Sequence, residues 1–454
     1  MAFYGTFDGK NYTIANLYEN INTNTNTPNY GGLFSSTNST ATVKNLTVMN
    51  ANIKCQYFAG GIIGNAINTT VENCQNTGDI TSTNNSAGGI IGNAINCTIK
   101  NCNNNGTING SPSAGIVGSV EAETTISNCN NTGSIIGQTS YKSGILGKTR
   151  NQGKTTISNC YNSGNISEDT SGRYAGIVSL AENPTLIDSC YNISDITGGS
   201  YTAGIIAEAS APVTVVNCYN TGNLSSNHTN DMGGIGASMG NNSYVINCYN
   251  LGDLKGTYET AYVSGITNGC SQVQNCYNSG TVTSANAAAG ICCLPANGGT
   301  ISNCYNTGTV TGGKNYGAGG ITLRGGIISY CYNSGTVTSQ NAGGITGFYN
   351  SNINNCCNTG DIIPTNGTTQ YIGAAEISGQ GNSNVSVAPN NSYLIKTTNA
   401  STNYATGKTQ SEMDVLMSME SFKNRMNDYV ATNNADTSKP KLKIWNLKEG
   451  RPAF

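Results

Sequence analysis

The sequence predicts an all-β fold: a right-handed parallel β-helix (β-solenoid) of about 11 to 12 coils, three strands per coil, closed by a C-terminal α-helical cap. Three observations carry this. The chain is built on an imperfect repeat of roughly 28 residues, its apolar residues recur in register as short Ile/Val runs, and the period is lost near Thr409.

A cysteine marks the register. Cys74, Cys102, Cys129, Cys160, Cys190, Cys218, Cys248, Cys276, Cys304, Cys331 and Cys356 follow one another at spacings of 25 to 31 residues. A position that stays Cys in eleven coils is expected to point into the core, as a small apolar residue. Two residues later stands an Asn in every coil: Asn76, Asn104, Asn131, Asn162, Asn192, Asn220, Asn250, Asn278, Asn306, Asn333 and Asn358. These are expected to form an internal ladder, each side-chain amide bonding the coils above and below. Four residues after the cysteine, Gly fills ten of eleven positions, Ser194 being the exception.

Three β-like runs fill each unit. One precedes the cysteine (Thr300-Ile301-Ser302-Asn303-Cys304), one follows the Gly (Thr309-Val310-Thr311), and one is a Gly-Ile run (Gly89-Ile90-Ile91-Gly92). All are too short for helices and rich in β-branched residues, and Gly and Asn between them are expected to supply corners with positive φ.

The residue after the cysteine is Tyr in seven consecutive coils: Tyr161, Tyr191, Tyr219, Tyr249, Tyr277, Tyr305 and Tyr332. Gln75, Asn103, Asn130 and Cys357 fill the same slot elsewhere, so it faces outward or lies at a corner. The column is either an aromatic platform for a ligand or a stack that stabilises the corner.

From Thr409-Gln410-Ser411-Glu412, a capping-box pattern, the spacing of Met413, Leu416, Met417, Phe422, Met426, Tyr429 and Val430 predicts a helix over about 410–430. Residues 1–400 are thus read as the solenoid and 401–454 as a closing segment, with Trp445 near its end. A solenoid exposes strand edges and bare core at its ends, which invites end-to-end self-association. The helix is expected to lie across the open end of the last coil.

Composition narrows the chemistry. Charged residues make up 10 % and the formal net charge is −2, so no basic stripe invites nucleic acid. No run of 18 apolar residues occurs, so no membrane insertion is expected. With one histidine and no C-x-x-C, no metal site or cofactor is expected. Seventeen cysteines is an odd number, and free thiols are favoured, with Cys97–Cys102 and Cys270–Cys276 as conceivable pairs. His228 lies in a polar corner with no nucleophile beside it. Asp79, Asp195, Asp253 and Asp361 share one slot but never occur in adjacent coils, which argues against a catalytic acid pair. Thr281, Thr283, Thr309, Thr311, Thr336 and Thr338 would form a small Thr grid of the kind that binds ice.

The runs Gly32-Leu33-Phe34, Gly61-Ile62-Ile63-Gly64 and Gly115-Ile116-Val117-Gly118, with the Asn-Cys-Tyr-Asn-Thr-Gly corners and the opening Gly5-Thr6-Phe7-Asp8-Gly9, resemble the GLUG-motif repeats of bacterial surface proteins. The resemblance covers about residues 3–400. It implies a parallel β-helix on a secreted or wall-attached protein, an adhesin-like stalk whose partner is a host or environmental glycan or protein. Similar repeats adjoin zinc peptidases that cleave immunoglobulin A, but their His-Glu-x-x-His motif is absent, so that activity does not carry over. Met1 to Gly5 contain no charged-then-apolar signal peptide, so the chain is expected to be either a cytoplasmic protein or a fragment whose signal lies upstream, and Phe3, which begins directly in repeat-like sequence, favours the fragment. A non-catalytic surface module and a carbohydrate-active β-helix enzyme are the two readings left open.

Overall fold

The computed structural model describes residues 2–365 apart from 22–28, 138–139, 151, 168–170, 314–315, 349–351 and 355. Beyond these it describes the strands Gly373–Ala375 and Tyr393–Leu394, the helix Met419–Ala435, and the antiparallel strands Asn446–Lys448 and Arg451–Ala453. The chain is an all-β parallel β-solenoid of about eleven turns. It divides into two compact units, Met1–Thr229 and Asn230–Phe454.

In the first unit one coil runs through Thr98–Lys100, Asn103–Asn104, Ile108–Asn109, Ser113–Ala114 and Val117–Val120. The first two segments share a sheet, so the coil has four walls rather than the expected three. The extra wall arises where the Gly-Ile run bends between Ala114 and Val117. A Cβ on Gly115 would sit 2.3 Å from both the Asn131 side chain and the Gly144 carbonyl oxygen, so only a bare backbone can turn there. In the second unit the fourth wall thins to isolated bridges, Gly236↔Thr267, Cys292↔Thr322 and Thr322↔Thr346.

Parallel register places like on like. Ile99, Ile126, Ile157, Ile187 and Val215 stack in the cysteine wall of the first unit, and Val245, Val273, Ile301, Ile328 and Ile353 in that of the second. Across the core from them stand Ile80, Ile108, Ile135, Ile166 and Ile196 in the first unit, and Val282, Val310 and Val337 in the second. Each buried Ile contributes on the order of 1.5–3 kcal/mol.

All seventeen cysteines are buried and unbridged, the eleven of the register column pointing into the core as expected. Neither Cys97–Cys102 nor Cys270–Cys276 forms a disulfide. The column is tied by its own backbone: the Cys102 N–H donates to Cys129 Sγ, and Cys129 N–H to Cys160 Sγ, each at 3.4 Å.

The internal Asn ladder is present in both units. Asn76 Nδ2 donates to Asn104 Oδ1 at 2.8 Å, and the series continues through Asn131, Asn162, Asn192 and Asn220. Asn250, Asn278, Asn306, Asn333 and Asn358 repeat it in the second unit. Each amide is also clamped to the backbone two residues on. Asn104 Nδ2 donates to the Gly106 carbonyl oxygen at 3.0 Å and its Oδ1 accepts the Gly106 N–H at 3.3 Å.

The recurring Gly serves a purpose other than the expected positive φ. A Cβ on Gly106 would lie 1.9 Å from the Gly78 carbonyl oxygen, and one on Gly133 would lie 2.0 Å from that of Gly106. Successive coils approach closely at this corner, which leaves little room for a side chain, and Ser194 alone of the eleven carries one. Positive φ belongs instead to the residue before the cysteine, for example Asn101 (55°), Asn128 (52°), Asn275 (54°) and Asn303 (53°). Asn is the non-glycine residue best suited to that conformation. These asparagines form a second, outer ladder that the sequence reading did not single out. Asn73 donates to Asn45 at 2.9 Å, Asn101 to Asn73 at 3.1 Å and Asn128 to Asn101 at 3.2 Å.

The C-terminal helix is described over Met419–Ala435, which overlaps the expected 410–430; residues 410–418 lie outside the described residues. Val430 and Asn433 are buried, and Gln274 Nε2 donates to Asn433 Oδ1 at 3.4 Å. Gln274 belongs to the Cys276 coil, well before the last, so this contact covers the flank of the second unit rather than the end of its last coil. The reason is chemical: the described inward side of the helix carries Asn433 beside Val430, which suits a polar sheet face better than a bare apolar core.

Replacing Asn104 by Ala should cost about 3–5 kcal/mol, because its removal strands the buried Asn76 and Asn131 amides and the Gly106 backbone. Gly106→Ala should cost about 2–3 kcal/mol through the clash with Gly78. The exposed neighbour Asn105→Ala should stay within about 0.5 kcal/mol. Chemical denaturation of the three variants checks the ranking.

Candidate functional site

The Tyr column is where the sequence placed a candidate binding surface, and parallel register makes it a ring stack. In the first unit Tyr161 and Tyr191 have centroids 5.0 Å apart at 5°, and Tyr191 and Tyr219 are 4.7 Å apart at 2°. In the second unit Tyr249–Tyr277 and Tyr277–Tyr305 are both 4.9 Å apart, at 5° and 10°. Rings stacked along the coil axis cover one another's faces and leave only edges and hydroxyls to solvent. A platform on which sugar rings stack needs free faces, and these rings use theirs on one another, which stabilises the corner by about 0.5–1.5 kcal/mol per pair.

Nor are the seven equivalent. Tyr161, Tyr191, Tyr219, Tyr249 and Tyr277 are half-buried, whereas Tyr305 and Tyr332 keep only 5 % and 2 % exposure. Tyr332 hydrogen-bonds Thr359 Oγ1 at 2.8 Å and is followed in register by Cys357. On the same flank Ile246, Gln274 and Ser302 point outward by strand alternation, yet are buried. Gln274 bonds Asn433 of the C-terminal helix on this flank, and burial pushes the Tyr277 phenol up to about 12. Five of the seven tyrosines thus stand at the surface, while Tyr305 and Tyr332 are covered.

The acidic slot proves to be a fastening. Asp195 Oδ1 accepts the Asn223 N–H, and Asp253 Oδ1 the Thr281 N–H, both at 2.7 Å. Each acceptor serves the same position one coil further on, so these carboxylates satisfy corner backbone groups. His228 is half-buried, and its backbone N–H donates to Ser226 Oγ at 3.1 Å. Among the described residues no group of three or more His, Cys, Asp or Glu side chains could hold a metal ion. The Thr grid exists in register, Thr283↔Thr311↔Thr338, but Lys255 precedes it and Ile363 follows it.

A charged aromatic cluster in the first unit went unseen in the sequence, because its members are spread over three coils. Tyr141, Arg173 and Tyr201 share one register column. The Arg173 guanidinium lies between the two rings, 5.2 Å and 5.3 Å from their centroids, and pairs with Glu208. Lys148 sits 5.3 Å from the Tyr141 ring and 2.9 Å from Glu182. Beneath them the fully buried Lys142 lies 4.8 Å over the Tyr174 ring. Both outer cations already have carboxylate partners, so the cluster acts as a clasp between coils.

Four of the buried thiols outside the Cys ladder are held protonated. Burial pushes Cys55 and Cys97 up to about 11, and Cys270 and Cys293 up to about 12. No thiolate nucleophile is poised among these. No family model, curated protein or solved structure matches the chain. The functional reading rests on its own residues.

Two outcomes are expected. In the folded chain Cys55 and Cys97 keep protons that the same thiols, with an ordinary value of 9.0, release when unfolded. Their contribution to stability is therefore complete below about pH 9 and is lost as pH rises toward about 11. Denaturant midpoints at rising pH check the sign. Tyr161→Gln should cost about 1 kcal/mol or less, as the rim-exposed end of its stack, whereas Tyr305→Gln, at 5 % exposure, should cost about 2–4 kcal/mol. Equal losses would contradict the burial difference.

Proposed function

We propose that this chain is a non-catalytic, surface-exposed structural and binding module of a bacterial secreted or wall-attached protein, an adhesin-like stalk in the manner of GLUG-motif repeats. The observation that carries the reading is where the polar chemistry goes. Asn amides, Asp195, Asp253 and the Tyr rings all join one coil to the next rather than converge on a reaction centre. Catalysis by a carbohydrate-active β-helix needs acids gathered on one patch of surface, and the slot that repeats acids here uses them on backbone groups.

What remains outward is a set of small polar side chains, among them Thr81, Asn109, Ser167, Thr197 and Ser225 in the first unit. Such a surface supplies hydroxyl and amide groups for hydrogen bonding to a glycan or to a partner protein, without a basic patch for nucleic acid. Neither a cofactor nor membrane insertion enters the reading.

Passing the whole chain over immobilised glycans and host surface proteins, while assaying the same glycans for newly released reducing ends, tests it. Retention without release is the expected result. Release that scales with protein and is lost on substituting Asp195 or Asp253 would make the chain an enzyme instead.

A further inference from the structure

The oxidisable side chains of this protein are sorted by depth. All seventeen thiols are buried, out of reach of a dissolved oxidant. Tyr161, Tyr191 and Tyr219 stand half-buried at the surface of the first unit, each ring stacked on the next. The closest pair, Tyr191 and Tyr219, has centroids 4.7 Å apart and planes inclined by 2°. The two residues are register partners on neighbouring coils, so their near-parallel rings lie against one another.

We propose that Tyr191 and Tyr219 are a site of oxidative cross-linking, at which a peroxidase with hydrogen peroxide joins them as a dityrosine rung between neighbouring coils. Each phenol gives up one electron and one proton to the oxidant. The two phenoxyl radicals pair to form one carbon–carbon bond between ortho positions, and the hydrogen on each of these carbons moves to its phenolic oxygen, restoring both phenols. For each rung two hydrogen atoms leave the protein and one hydrogen peroxide becomes two water molecules.

Register makes this pair special. A radical on an isolated surface tyrosine waits for a collision with another molecule, whereas one on Tyr191 has a ring against each face, which turns coupling into an intramolecular step. The most exposed tyrosines among the described residues, Tyr12 at 74 %, Tyr18 at 70 % and Tyr4 at 59 %, stack on no other described tyrosine and serve as internal comparators for mere exposure. The rung would tie two coils together outside the Asn ladder, and it does not depend on whether the module binds a glycan.

The test treats the dilute full-length chain with a haem peroxidase and limiting hydrogen peroxide. Dityrosine fluorescence, gel migration, a peptide map and the free-thiol count are then read together. The expected result is a cross-linked monomer, a linked peptide pair containing Tyr191 and Tyr219, and seventeen thiols still free. Tyr191→Phe, which keeps the stacked ring, should reduce the first unit's cross-link to background, while Tyr12→Phe should leave it unchanged. The proposal is overturned if coupling is chiefly between molecules through Tyr4, Tyr12 or Tyr18. Thiol loss in place of dityrosine, or an undiminished first-unit cross-link in Tyr191→Phe, would overturn it equally.

Discussion

A column of buried amides sets the terms for everything around it. Each ladder Asn is shut away from water, so its two N–H groups and its oxygen must find partners inside the coil. Asn104 meets this with two backbone bonds to Gly106 and one bond each to Asn76 and Asn131. Because Gly106 presents both an N–H and a carbonyl, the amide has one permitted orientation, and the whole ladder points its donors toward the C-terminus. A single reversed amide would set donor against donor on one side and acceptor against acceptor on the other.

Keeping that column continuous forces close approach on both flanks. At the corner, Gly106 sits where a Cβ would strike the Gly78 carbonyl. Across the coil, a Cβ on Gly89 would come within 2.4 Å of the Asn104 side chain, and one on Gly290 within 2.5 Å of Asn306. The two glycine positions of the repeat are thus the two sides of one pinch, with the amide between them. Next to the cysteine, the outer ladder runs with opposite polarity, Asn101 donating back to Asn73 and Asn73 to Asn45. It ends at Asp8, whose Oδ1 accepts from Asn45 at 3.0 Å, and a carboxylate is a fitting terminus because it needs no further acceptor. Neighbouring Asn45 and Lys10 lower the Asp8 carboxyl below its ordinary value, which keeps that terminus ionised.

This arrangement bears on function through what it leaves over. Polar groups that in an enzyme would be held apart and aimed at a substrate are here paired along the coil axis. Substitutions between coils fall on outward positions, where Asp, Asn, Ser and Thr replace one another in the same register without touching either ladder. A scaffold of this kind tolerates surface change while its interior is held by Asn and Cys columns and a nearly constant Gly column, a division of labour that suits the proposed binding module.

The period, the inward cysteine and the Asn ladder were legible in the sequence because each is an interaction between a residue and its equivalent one repeat away. Aligning the repeats brings those partners together just as folding does. The four-walled cross-section was not legible, since it follows from how closely Gly115 must pass Asn131 and Gly144. The same holds for the orientation of the tyrosine rings: the sequence placed them in a column, but only parallel register showed that each hides its neighbour's face. Burial of the Tyr305 end of that column, and the Gln274–Asn433 bond 159 residues apart on the same flank, lay further out of reach. They join repeat to non-repeat, and no periodicity in the chain encodes where a segment without a repeat will come to rest.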